Sequence, residues 1–157
     1  MSLSFAVIVF GMTRTARAGS CSTVKAAGDW GATLTGTLLL PTGPVPFAAT
    51  VRAAFDAQGN ITKATEARSL GGDFANETIT GAWTVSSDCT GTLKINAYES
   101  GTLVRTSVLA IVFDQNMGQV RMVQESLVLP DGTRLPVVAT LEAKRLFPSL
   151  FPFTAGE

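Results

Sequence analysis

Seven clusters of turn-forming residues divide this 157-residue chain at close intervals: PTGP from Pro41, DAQGN from Asp56, LGGD from Leu70, SSDCTG from Ser86, YESG from Tyr98, DQNMG from Asp114 and PDG from Pro130. Each cluster combines residues that tolerate left-handed backbone, preset φ or bond to their own turn. The segments between them run about seven to twelve residues, are rich in Thr, Val, Leu and Ile, and show no sustained 3.6-residue period. Eight strands joined by hairpins are therefore expected.

The period-two phase says which side of each strand is wet. Trp30, Ala32, Leu34, Gly36, Leu38 and Leu40 share one face of the first strand, with Thr33, Thr35 and Thr37 on the other. Val45, Phe47, Ala49, Val51, Ala53 and Phe55 share a face of the second. Ile79, Gly81, Trp83 and Val85 do so in the fourth, Leu93, Ile95 and Ala97 in the fifth, and Leu135, Val137, Ala139, Leu141, Ala143 and Arg145 in the eighth. The third strand, ITKATEARS, shows no apolar face and is expected on an exposed or weakly packed side. Strand six is apolar on both faces in its second half: Leu109, Ile111 and Phe113 against Val108, Ala110 and Val112. Its outer side needs a cover, from the C-terminal LFPSLFPF, the N-terminal segment or a second copy of the chain.

Sequential antiparallel strands with one apolar face close most economically into an eight-stranded antiparallel up-and-down β-barrel, which leaves no edge strand. A two-sheet sandwich is the alternative. The length suits one domain.

Twelve basic residues balance twelve acidic ones and charged residues make up 15% of the chain, without a basic cluster, so no electrostatic footprint for nucleic acid or an anionic membrane is visible. Histidine is absent, which removes the commonest general base and metal ligand. No phosphate-cradling loop, metal cluster or paired nucleophile and base is found; catalytic residues, a cofactor and a metal are all unassigned. Asn60-Ile61-Thr62 and Asn76-Glu77-Thr78 fit the N-glycosylation pattern, which a Thr-rich chain produces readily.

Residues 1–18 contain an apolar stretch from Leu3 to Met12, too short to span a bilayer, followed by Ala16-Arg17-Ala18, a pattern that a signal peptidase cuts. This predicts a signal peptide at 1–18, with a buried N-terminal strand as the alternative, a barrel domain at 19–146, an apolar tail at 147–157, and a secreted or periplasmic destination. In an oxidising compartment Cys21 has Cys89 as its only possible partner within the chain; two separate buried thiols are the alternative.

Gly28-Asp29-Trp30 opens the first strand and Arg145 closes the last on the same inward phase. This resembles the lipocalin and calycin barrels, whose Gly-x-Trp packs its indole under a basic residue of the final strand. The stretch GAWTVSSDCTGTLKI resembles more closely a group of uncharacterised secreted bacterial barrel proteins. They carry G-x-[YW]-x-V and then D-C-T-G-T, an N-terminal Cys before G-x-[WY], and an F-D-x-x-G-N turn, here Phe55 to Asn60. The resemblance covers most of residues 21–145 and implies a bridge from Cys21 to Cys89. In layout such chains are similar to allene-oxide-cyclase-like barrels, and no established activity comes with them.

An eight-stranded barrel either fills itself with side chains or holds one small ligand. Gly36, Ala49, Ala53, Gly81, Ala97, Ala139 and Ala143 on the inward face favour space, whereas Phe47, Phe55, Trp83 and Phe113 could fill it. The candidate ligand-lining residues are Phe47, Trp83, Arg105, Ser107 and Gln124. Arg105, if inward, needs an anion such as Glu125, Glu77 or a ligand carboxylate. Three functions compete: a binding module for a small apolar molecule, an isomerase or cyclase that moulds a reactive apolar substrate, and a structural protein assembling through strand six.

Overall fold

The computed structural model describes residues 20–114 and 116–146. The expected signal peptide at 1–18 and apolar tail at 147–157 lie outside the described residues. A single helical turn, α1 (Thr23–Ala26), precedes eight strands: β1 (Gly28–Leu40), β2 (Gly43–Phe55), β3 (Ile61–Leu70), β4 (Asp73–Val85), β5 (Thr90–Glu99), β6 (Thr102–Phe113), β7 (Gln119–Val128) and β8 (Val137–Arg145). Each strand pairs antiparallel with its sequence neighbours, and β1 also pairs with β8, closing the barrel. The chain is thus an eight-stranded antiparallel up-and-down barrel, and closure satisfies the backbone of what would otherwise be two sheet edges.

Alternation places the core inside. Trp30, Leu34 and Leu38 of β1, Ala49, Ala53 and Phe55 of β2, Leu109, Ile111 and Phe113 of β6, and Ala139, Leu141 and Ala143 of β8 are all buried. The ladder shifts register three times, once between Ala54 and Phe55 of β2, where Thr62 of β3 is the extra residue, and at two bulges further along the chain. Between β5 and β6, Ala97 faces Arg105 while Tyr98 faces Leu103, leaving Val104 as the extra residue. Between β6 and β7, Val108 faces Ser126 while Leu109 faces Gln124, so Glu125 is extra. That second bulge lets Val120, Met122 and Gln124 point inward and then, an odd number of residues on, buries Leu127 as well.

β3 departs from expectation. It is not a weakly packed strand: it pairs with β2 from Phe55 to Phe47 and with β4 from Thr78 to Asp73. Ala64, Glu66 and Arg68 point inward at its centre, the first two buried, with Ile61 and Leu70 lining the cavity from its two ends. No apolar face was visible because the inner face is charged.

On the outside, Val112 of β6 and Val123 of β7 are exposed, as are Val138 of β8 and Leu39 of β1. These four exposed apolar residues lie on adjacent strands, with polar cross-strand partners between them: Arg121 opposite Val112, Thr140 opposite Val123 and Thr37 opposite Val138. Among the described residues no helix is long and apolar enough to cross a membrane.

Candidate functional site: the barrel interior

One end of the barrel is sealed. Ser22 caps α1 by accepting from the Lys25 amide, Thr23 Oγ1 accepts from the Val85 amide at 3.0 Å, and a disulfide joins Cys21 to Cys89 with the two Cα atoms 4.9 Å apart. Cys89 takes φ 70° in the β4–β5 turn, next to an Asp88 carboxylate that accepts from the Thr90 amide and hydroxyl. The cysteine therefore belongs to the turn and fixes α1 over the barrel end.

Beneath α1 lies an aromatic floor. Trp30 donates from Nε1 to the Ala26 carbonyl at 3.0 Å, and the Arg145 guanidinium lies 4.8 Å from the Trp30 ring centroid. Trp30 and Arg145 are Cα partners across β1 and β8, so barrel closure itself creates the pair. Arg145 also donates to the carbonyls of Ala27, Lys25 and Met117, tying the lid and the β6–β7 loop to the last strand. At Gly28 a Cβ would stand 2.6 Å from Arg145 Nη1, so only glycine lets the guanidinium reach these carbonyls. Phe55 stacks on Trp83 with ring centroids 3.6 Å apart, and Trp30 and Phe113 meet Trp83 edge-on at 5.6 Å and 5.3 Å.

Above this floor the barrel is not filled. A cavity of about 190 Å³ is bounded by Trp30, Phe47, Phe55, Trp83, Leu93, Leu109, Met122 and Leu141, among other apolar residues. It exceeds the roughly 150 Å³ of an engineered apolar cavity that admits benzene. At Gly36 a Cβ would lie 2.7 Å from Phe47 Cζ and 2.6 Å from the Ala139 Cβ, so glycine there makes room for the Phe47 ring that borders the cavity.

Six polar residues also line the cavity: Glu66, Arg68, Glu77, Arg105, Ser107 and Gln124. Arg105 Nη2 donates to both carboxylate oxygens of Glu66 at 2.9 Å, and its Nη1 donates to Glu77 Oε2. Arg68 Nε donates to Glu77 Oε1 at 2.8 Å. Two cations thus neutralise two anions, and the carboxylates are almost wholly buried, with side-chain exposures of 1% for Glu66 and 0% for Glu77. Burial pushes the Glu66 carboxyl above its ordinary range, against the pull of Arg105 and with the added push of Glu77. Beside them Gln124 Nε2 donates to Ser107 Oγ at 2.9 Å and to the Ser126 carbonyl at 3.2 Å.

All five residues singled out as ligand-lining, Phe47, Trp83, Arg105, Ser107 and Gln124, border this cavity. Arg105 is neither free nor fully solvated, and its partners are Glu77 and Glu66. Glu125, offered as a partner, sits exposed at the β7 bulge, because the extra residue there points away from the interior. Sequence reading missed Glu66 and Arg68. Their signal was the in-phase series Ala64, Glu66, Arg68, followed across one hairpin by Glu77.

No family model and no curated protein matches the chain. Among solved structures it is similar to the S-type phycobiliprotein lyase CPES from Guillardia theta, at 9% identity and a TM-score of 0.38, over 80% of this chain and 91% of that one. So distant a likeness assigns no residue a role, and the closed antiparallel barrel rests on the strand pairing itself.

Proposed function

We propose that this barrel is a binding module for a small, mostly apolar, neutral molecule held in its interior. The observation that carries the reading is a cavity of about 190 Å³ whose charged wall is already complete. Glu66 and Glu77 are satisfied by Arg105 and Arg68. A ligand bringing its own buried charge would upset that balance at a cost of several kcal/mol. A neutral molecule need only displace water from apolar walls.

The cyclase reading has one observation in its favour, since buried carboxylates border the cavity. Both are held by guanidinium forks, which suits a structural or orienting task better than proton transfer, so binding is the stronger reading. The same proposal takes residues 1–18 as an export signal, 19–146 as the barrel and 147–157 as a tail. The Cys21–Cys89 bridge supports an oxidising destination, and the exposed valines on β6, β7 and β8 support a covering partner, the tail or a second copy.

Native mass spectrometry of protein purified from its own source tests the reading, because it reports bound ligand and subunit count together. A small molecule that is lost on denaturation is expected. A barrel that arrives empty and takes up no small apolar probe, such as tetralin, would overturn it.

A further inference from the structure

Ser107 and Gln124 form a hydrogen-bonded pair on the cavity wall that is only half complete. Gln124 continues the inward series of Val120 and Met122, and the bulge that follows brings the Ser126 carbonyl within reach of its amide. Both protons on Nε2 are therefore used, one on Ser107 Oγ at 2.9 Å and one on the Ser126 carbonyl at 3.2 Å. A backbone carbonyl can only accept, which fixes Nε2 toward Ser126 and turns Oε1 elsewhere. Two capacities are left over. Ser107 Oγ accepts from Gln124, but among the described residues its own proton has no acceptor in reach, and at 3% exposure the hydroxyl is shut off from outside water. Gln124 Oε1 likewise has no donor among the described residues. The one side-chain polar atom there that is sealed in protein without a partner is Trp83 Nε1, so Oε1 is not sealed, and its side chain borders the cavity. Arg105, two residues from Ser107, turns to Glu66 and Glu77 instead. Buried polar groups are partnered with few exceptions, and here an unused donor and an unused acceptor stand side by side.

We infer that the ligand carries a hydroxyl group, whose oxygen accepts from Ser107 Oγ and whose proton goes to Gln124 Oε1, while the rest of the molecule lies against the apolar walls. This rests on the binding-module reading and narrows it to small apolar alcohols and phenols. The three groups close a ring of hydrogen bonds, Ser107 to ligand, ligand to Gln124 and Gln124 back to Ser107, in which each bond polarises the next. A ketone or ether answers Ser107 but sets its lone pairs against Oε1. A hydrocarbon answers neither.

The test uses three probes on one ring skeleton: tetralin, with no polar group; 2-tetralone, which only accepts; and 2-tetralol, which accepts and donates. Their affinities are measured by calorimetry on the full chain. Gln124→Met keeps the length of the side chain but removes Oε1, and it should weaken 2-tetralol about 5- to 10-fold, the scale of one hydrogen bond, while leaving 2-tetralone and tetralin within about twofold. Ser107→Ala should weaken 2-tetralol and 2-tetralone by a similar factor and spare tetralin. A crystal structure of the 2-tetralol complex needs no variant, so it decides even if the substitutions fold poorly: the ligand oxygen is expected within about 3.2 Å of both Ser107 Oγ and Gln124 Oε1. A ligand oxygen placed elsewhere, with water alone between Ser107 and Gln124, or equal weakening of all three probes, overturns the hydroxyl inference and leaves the binding module standing. If no probe binds, both fall.

Discussion

Glu66 and Glu77 stand directly opposite each other on β3 and β4, both buried, and both bonded to the one guanidinium of Arg105. Like charges in a cross-strand pair repel, and inside a barrel water does little to screen them. Arg105 reaches them from β6, passing over β5 where Ala97 leaves room. The group makes the wall of the cavity depend on strands distant in the sheet.

Removing that cation should therefore be among the most damaging single changes. Arg105→Ala is expected to lower stability by about 3–5 kcal/mol, since it leaves two buried carboxylates with one partial partner in Arg68. Arg105→Lys should recover only part of this, because an ammonium cannot present a fork to both carboxylates. Urea denaturation measures both; a loss under about 1 kcal/mol for Arg105→Ala would contradict the burial of the group.

The Glu66 carboxyl has a pH signature. Its pKa is raised in the folded state, so at pH values between the unfolded and the folded pKa the native protein holds a proton that the unfolded chain has released. Stability then falls as pH rises from the ordinary value of 4.5 through the raised one, and the contribution is fully present below that window. In Glu66→Gln this slope should flatten. Unfolding free energies at a series of pH values would reveal it, and parallel curves for the two proteins would count against the assignment.

Closure of the barrel predicts unequal effects for two adjacent basic residues. Arg145 lies over Trp30 and bonds to three carbonyls, whereas Lys144 is exposed. Arg145→Ala should cost more than Lys144→Ala, and Trp30→Ala more again, about 3–5 kcal/mol, because it also empties a core site. Equal thermal shifts for Arg145→Ala and Lys144→Ala would remove any special role for the pair.

The Cys21–Cys89 bridge spans a sequence separation of 68 residues. Reduction, or replacement of both cysteines by alanine, should lower stability by on the order of 4 kcal/mol through the unfolded chain. It should also free α1, since the bridge and Thr23 fasten that turn to β4 and the following loop. Hydrogen exchange at the Lys25 amide, which bonds to the Ser22 hydroxyl, would report the release.

Export makes a further prediction. Protein recovered from the periplasm or medium should begin at or within about two residues of Gly19, following Ala16-Arg17-Ala18. N-terminal sequencing checks this, and an intact Met1 on exported material would refute the signal.

The strand count, the hairpins and most inward faces were legible in the sequence because turn residues and a period of two are local properties. Trp30 and Arg145 could be matched because closure of eight sequential strands must bring first and last together. What a period of two cannot express is a bulge, so Glu125 could not be ruled out as a partner of Arg105 until the β6–β7 register was known. Nor can hydrophobicity reveal an inward face that is charged: Glu66 and Arg68 look like solvent-facing residues on any strand taken alone. Their burial is permitted only because Arg105 and Glu77 arrive from other strands with opposite charge. Whether the small and aromatic residues fill the interior or leave space was likewise a matter of how four rings stack against one end, a packing result that belongs to three dimensions. Local chemistry thus determined the barrel; the register and the pairing of distant charges decided what the barrel contains.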